Sequence, residues 1–383
     1  MRNEPMTFND FIDQTKNNIM DYLPESYQDA SVNVVEVQKM NTTYMGLQIR
    51  KPDEIIAPSI DMNHFYEEYC NGKSMEMVMT ELAAMTDQIP PEVEVPDFGN
   101  YDRIKEQLFI RICDIEQNKD YLADKPYQEV DGLATTVHMY IGDAESLSSG
   151  IMSTTVSYDM MNQLGVSKEQ LFADAIENSE KMFPARYQSL SSVLMGMMPP
   201  ELQGSDMEAE FSYGVGNEMM ILTNQQSLMG ASAMMYPDML DGIAKDMNSN
   251  LFILPSSLHE VIIIPDTGDR DYTELEEMVQ LINAEQVAPN DRLSDHVYHC
   301  DISDRTLERA STYEMRKEQE RVGDRTDRAE RGRADIRSDR EHGAPGKERD
   351  AKQSVLGRLD EKKAHVASQP KHETKNRSNE LSM

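Results

Sequence analysis

Residues 250–266 read NLFILPSSLHEVIIIPD. Leu251–Leu254 and Val261–Ile264 are two apolar runs of strand length. Pro255, Ser256 and Ser257 between them carry turn chemistry, so the pair predicts a hairpin. Both runs are nearly continuous rather than alternating, which predicts strands covered on both faces. This stretch is the expected centre of the core, and the rest of the chain is read outward from it.

Upstream, Pro237 is expected to start a helix over Asp238–Met247 that feeds straight into the hairpin. Met219–Thr223 and Ala231–Met235 read as a further hairpin. Downstream, Asp271 caps a helix expected over Tyr272–Asn283, and Val297–Cys300 is a last short strand. At the other end, Thr7-Phe8-Asn9-Asp10 resembles a capping box with Asp in place of Glu. Phe8, Phe11, Ile12, Ile19, Tyr22 and Leu23 then recur at helical spacing until Pro24. Strands are expected at Val32–Val37, Tyr44–Ile49 and Ile55–Ile60, with a hairpin turn at Asn41-Thr42-Thr43 and a bulge at Gly46.

Helices are expected over His64–Asn71, Ser74–Met85 and Tyr101–Asn118. The last rests on Ile104, Leu108, Ile112 and Ile115 sharing one helical face. Ala134–Ile141 and Ile151–Ser157 are β-rich and expected to pair. Ser167 caps a helix running to about Lys181, which Met182-Phe183-Pro184 ends. Strands arrive mostly in antiparallel pairs, so the expected class is α+β, with mostly antiparallel sheets and packed helices. The expected organisation is an N-terminal α+β subdomain (1–88), a linker at Ile89–Gly99 and a C-terminal α+β subdomain (97–302). The second subdomain carries a mobile, acidic, glycine-rich insertion at 199–218, and a charged low-complexity tail covers 303–383.

The sequence carries a formal net charge of −32, unevenly spread. From Ser311 onward there are 18 Lys and Arg against 15 Asp and Glu, which leaves 19 against 54 in residues 1–310, a net charge of −35. An acidic body repels nucleic-acid phosphate and anionic lipid. Cys70, Cys113 and Cys300 are far apart and odd in number, which indicates neither a disulfide framework nor a cysteine zinc knuckle. The start, MRNEPMTFND, has no apolar signal core, and no run approaches the roughly 18 apolar residues of a membrane span. A soluble, cytoplasmic protein is expected. Its 29 methionines are read as flexible core filler.

Four patterns touch on chemistry. His259-Glu260 begins like HExxH, but position 263 is Ile, so the second zinc ligand is missing. His296, His299 and Cys300, with Asp301 beyond, form the one metal-like cluster; a strand there would split them between two faces. Ser256-Ser257 with His259 suggests a hydrolase, yet no GxSxG elbow surrounds them. Asp266, Asp269 and Asp271 resemble a calcium loop with Gly268 misplaced, and a turn plus a helix N-cap explains them better. There is no Walker loop, and Gly214-Val215-Gly216-Asn217 sits among acidic residues that would repel phosphate. No metal, cofactor or catalytic residue is assigned.

The segments MTFNDFIDQTKNNIMDYLPESYQDA, DRIKEQLFIRICDIEQNKDYL, LGVSKEQLFADAIENSEKMFPA and ILPSSLHEVIIIPD together resemble one family. It is the domain-of-unknown-function 5688 family of uncharacterised gut Firmicutes proteins, and the resemblance covers about residues 6–300. LGVSKEQLFADAIEN and LFILPSS are also loosely similar to the domain-of-unknown-function 1444 family. Neither resemblance implies an activity, a cofactor or a functional residue. The tail segment KQSVLGRLDEKK resembles short ends of proteins on conjugative elements.

The functional expectation is a non-enzymatic interaction or regulatory protein, with an acidic folded body, a charged docking tail and protein partners. Val355, Leu356 and Leu359 would share one face of a docking helix. The alternatives are an enzyme whose site assembles from dispersed residues such as Arg111, His138 and His259, or a mobile-element protein with its Arg-rich tail near nucleic acid.

Overall fold

The hairpin of residues 250–266 forms as read. In the computed structural model, Asn250–Leu254 and Val261–Asp266 pair antiparallel, with Ile253 opposite Ile263 and Phe252 opposite Ile264. Residues 5–52, 57, 59–87, 100–143, 151–197 and 219–322 are described. The linker at 89–99, the insertion at 199–218 with its Gly214–Asn217 segment, and the docking motif Val355, Leu356 and Leu359 lie outside them.

Thirteen strands are defined among the described residues: β1 (Ser31–Lys39), β2 (Thr42–Arg50), β3 (Ile60–Asp61), β4 (Leu108–Asp114), β5 (Tyr127–Val130), β6 (Leu133–Asp143), β7 (Ile151–Thr155), β8 (Ala185–Ser189), β9 (Met220–Asn224), β10 (Asn250–Leu254), β11 (Val261–Asp266), β12 (Tyr298–Asp301) and β13 (Thr306–Arg309). They make three sheets in which every pairing is antiparallel. The first has the order β1-β2-β3 and the largest the order β13-β12-β10-β11-β9-β8. In the remaining sheet β4 lies on one edge of β6, while β5 and β7 share the other. Helices pack on these sheets, so the class is α+β.

β10 and β11 are the two central strands of the six. Leu251, Ile253, Val261 and Ile263 enter the main core with Leu108, Ile110, Ile112, Leu171 and Phe172. Phe252, Leu254 and Ile264 point the other way and meet Val279 and Leu275 of the helix Tyr272–Glu285. Covering on both faces is the physical reason these strands are unbroken apolar runs. A separate core, built only from residues 6–83, joins the helices Phe8–Asn18, Met62–Cys70 and Met75–Asp87 to the first sheet through Phe11, Leu47, Phe65 and Leu82. Asn41, left-handed at φ 60° in the β1–β2 turn, ties that sheet to later residues. Its amide donates to Arg292 O at 2.6 Å, and its N–H donates to Asn118 Oδ1 at 2.7 Å.

Several expectations need correction. Tyr101–Asn118 is not a helix; a short helix at Tyr101–Ile104 and a helical turn at Lys105–Gln107 lead into β4. Positions 104, 108 and 112 are four apart, a step that suits one face of a strand as well as one face of a helix. Phe109, Ile110 and Ile112 prefer the pleated surface, and both faces of β4 are covered. Gly46 is no bulge, since the β1–β2 register runs unbroken with Val35 opposite Gly46. A Cβ there would approach Val37 Cγ2 to 2.6 Å, so the glycine serves close packing. Only Ile60 of the expected strand Ile55–Ile60 lies in β3, and residues 53–56 and 58 are outside the described set.

Ala231–Met235 belongs to a 3-10 helix, Gly230–Met235, rather than a strand. Gly230 and Ala231 donate their N–H groups to the carbonyls of His259 and Leu258. The small residues GASA allow that approach: a Cβ at Gly230 would lie 2.5 Å from Asn224 N. The true partners of β9 are β11 and β8, and β8 follows directly on Pro184. β5 carries no strong strand pattern of its own, although Asp131-Gly132 between it and β6 is a turn signal.

The body also extends beyond 302. β13 completes the six-stranded sheet, Ala310 is fully buried, and residues 310–322 are helical. The compact unit of the body ends at Glu318. Among the described residues, no helix is long and apolar enough to cross a membrane.

Candidate functional site

The residues singled out in the sequence separate into those with structural duties and one pair that converges. His259 sits between β10 and β11. Its Nε2 lies 3.3 Å from Asp291, while Nδ1 accepts the Met229 N–H at 3.2 Å. Ser257 Oγ accepts the backbone N–H of His259 at 3.0 Å. Both ring nitrogens are thereby engaged, and Ser257 is not presented to the ring as a nucleophile. Ile263 is a core residue, so nothing completes HExxH.

His296, His299 and Cys300 do not converge. His296 approaches Glu276 at 3.3 Å, ahead of β12. His299 is fully buried, bonds Asp266 at 3.0 Å and stacks on Tyr313 at 3.7 Å between centroids. Cys300 faces the main core instead. Among the described residues, no group of three or more His, Cys, Asp or Glu is placed to hold a metal ion. Asp271 caps its helix by accepting from Thr273 N, and Asp266 accepts from Gly268 N. A notch of about 330 Å³ lies between the β1–β2 turn and residues 116–121. Its charges largely balance, Lys119 pairing with Glu116 at 2.5 Å.

Arg111 and His138 do come together. Leu108, Ile110 and Ile112 of β4 point into the main core, so Phe109, Arg111 and Cys113 point out of its other face. Cross-strand register sets Phe109 opposite His138, Arg111 opposite Thr136 and Cys113 opposite Ala134. On the other edge of β6, Thr155 stands opposite His138. The helical turn Lys119–Leu122 brings Tyr121 onto this face, and Lys125 follows it. The result is a floor of buried Tyr121, Thr136 and His138 with a rim of half-buried Arg111, Lys125 and Thr155.

The polar groups of the floor are bonded to one another. Tyr121 OH and Thr155 Oγ1 are 2.8 Å apart, and His138 Nε2 is 3.1 Å from Thr136 Oγ1 and 3.5 Å from Tyr121 OH. The single proton of Thr136 goes to Arg111 O at 3.3 Å, so Thr136 accepts from His138 Nε2. Burial, then the charges of Arg111 and Lys125, holds His138 well below the usual imidazole range. Burial pushes the Tyr121 hydroxyl and the Cys113 thiol up to about 12 each.

Arg111 is different. Its guanidinium lies over the Phe109 ring at 5.3 Å, and its Nε is sealed from water with no hydrogen-bond partner. No carboxylate among the described residues pairs with it, although the body is strongly acidic. Burial pulls its pKa down, with Tyr121 opposing. Lys125, by contrast, is paired with Asp124 at 2.6 Å. A cation partly removed from water without an anion is an energetic liability. Tyr121, Lys125, Thr136 and Thr155 were not singled out in the sequence. A helix over 101–118 turns Arg111 away from Phe109, and only the β4–β6–β7 pairing gathers these side chains.

The fold and this face define an α+β protein of three antiparallel sheets, carrying a half-buried cation with no carboxylate partner among the described residues. No curated protein and no solved structure matches the chain. A family model matches residues 8–301, and the chain belongs to that family, the family of unknown function DUF5688.

Proposed function

We propose that the chain is a non-enzymatic, cytoplasmic binding protein whose folded body receives an anionic group on Arg111. The observation that carries this reading is the guanidinium itself, half-buried over Phe109 with an unbonded Nε and no carboxylate partner among the described residues. Thr136, His138 and Thr155 share its sheet face with Tyr121 beside them, and burial with the charges of Arg111 and Lys125 keeps His138 neutral, so the groups bonded to one another on this floor bring no negative charge to an arriving anion. Binding rather than catalysis is supported by the titratable neighbours. His138 is held far below neutrality, and Tyr121 and Cys113 far above it, so none is poised for proton transfer near pH 7. Three free cysteines suit a reducing compartment.

The test is Arg111→Met. A guanidinium serving the fold alone would make this variant less stable. A guanidinium held ready for a ligand leaves stability unchanged or raised, because the unsatisfied buried group costs about 1–3 kcal/mol. A loss of more than about 2 kcal/mol in urea unfolding would count against the proposal.

A further inference from the structure

The geometry points to a carboxylate as the group that Arg111 receives, carried by a small organic acid or by the end of a peptide, in preference to a phosphate; this rests on the reading of Arg111 as an anion receptor. Charge is the first argument. Lys125 is already paired with Asp124. His138 donates through Nε2 as a neutral ring. Among the described residues one positive charge is therefore uncompensated, and it suits a monoanion. A phosphate dianion would leave excess negative charge in a partly desolvated site, inside a body whose first 310 residues carry −35.

Shape is the second. A single guanidinium presents a flat fork of N–H donors, which matches the two oxygens of a planar carboxylate. Phosphate sites recruit several converging backbone N–H groups from glycine-rich loops or helix N-termini. Here the backbone is a strand. β4 is paired along its length with β6, and the Ile110 N–H is taken by Ser179 Oγ at 2.8 Å.

Donor accounting is the third. Tyr121 and Thr155 have two hydroxyl protons and share one bond at 2.8 Å. One proton remains for a ligand oxygen. Together with the Arg111 fork that makes three donors, enough for a carboxylate and few for a phosphate.

The experiment uses the full chain, at pH 7.5 and matched ionic strength, followed by thermal shift and calorimetry. The probes are acetate, benzoate, a short acetylated peptide with a free C-terminal carboxylate, the same peptide as its amide, and inorganic phosphate. The expected result is saturable binding of at least one carboxylate, silence from the amide, weakening of tenfold or more in Arg111→Lys, and loss in Arg111→Met. Thr155→Val, which leaves the guanidinium in place, should weaken binding by a smaller factor. Response to acetate or benzoate identifies a small acid as the source, and response to the peptide acid alone identifies a peptide. Arg111-dependent binding of phosphate without any carboxylate binding would overturn the carboxylate assignment and leave the anion-receptor reading standing. Binding of none of the probes would overturn both.

Discussion

Residues 303–317 should be structural, although they lie in what reads as a charged tail. The perturbation is a pair of truncations, one removing 311–383 and one removing 323–383. The first takes away Tyr313, whose ring stacks on the fully buried His299. It also removes Lys317, 3.2 Å from Asp301, and Arg316, which donates to Glu308 at 2.7 and 2.9 Å. The second truncation leaves all of these in place. An aromatic stack is worth about 0.5–1.5 kcal/mol beyond its area, and half-covering the Tyr313 side chain adds about 1 kcal/mol. Asp301 is 3% exposed and keeps the N–H donors of Ser303 and Asp304, so losing Lys317 removes one charge-assisted contact, worth about 1–3 kcal/mol. The partly exposed Arg316 pairs add less than about 1 kcal/mol. The total, about 3–6 kcal/mol, is a large share of a typical net stability of about 5–15 kcal/mol. Urea unfolding followed by circular dichroism is the assay, since the chain has no Trp for fluorescence. The longer truncation should lose this stability and the shorter one almost none. Equal stability of both truncations and the full chain would refute the reasoning.

Three further outcomes are expected. Ile263→Asp places a charge at a fully buried position between two covered faces, and should cost several kcal/mol or prevent soluble expression; unchanged urea stability would mean that β11 faces water. His138 has its folded-state pKa depressed, so below about pH 6.5 the unfolded chain binds a proton that the folded chain refuses. Stability from this group is therefore complete above that pH and falls as the pH drops, by at most about 1.4 kcal/mol per pH unit. His138→Gln should flatten the wild-type slope between pH 7.5 and 5.5, and identical slopes would remove His138 as its source. A labelled peptide spanning 348–368 should bind a partner from host lysate through Val355, Leu356 and Leu359, with Leu356→Asp/Leu359→Asp abolishing it; no binding returns the segment to a solubilising role.

The sequence alone determined the elements whose signals are local. The β10–β11 hairpin follows from two apolar runs and a Pro-Ser-Ser turn, and the helix Lys168–Met182 from Ser167 Oγ accepting Gln170 N–H. The α+β class follows from their order. What needed the tertiary structure was every feature set by partners distant in the chain. Ile104, Leu108 and Ile112 satisfy two periodicities, and only covering on both faces makes 108–114 a strand. Ala231–Met235 is drawn into a 3-10 helix by the carbonyls of Leu258 and His259. β13 is held by β12, so a run rich in charge becomes part of a sheet. The Arg111 site is the extreme case: β4, β6, β7 and the turn Lys119–Leu122 each contribute one or two side chains, brought together by register rather than by any motif. Residue spacing reports which face a side chain takes within its own element, whereas the lack of a carboxylate beside this guanidinium among the described residues depends on every element packed around it.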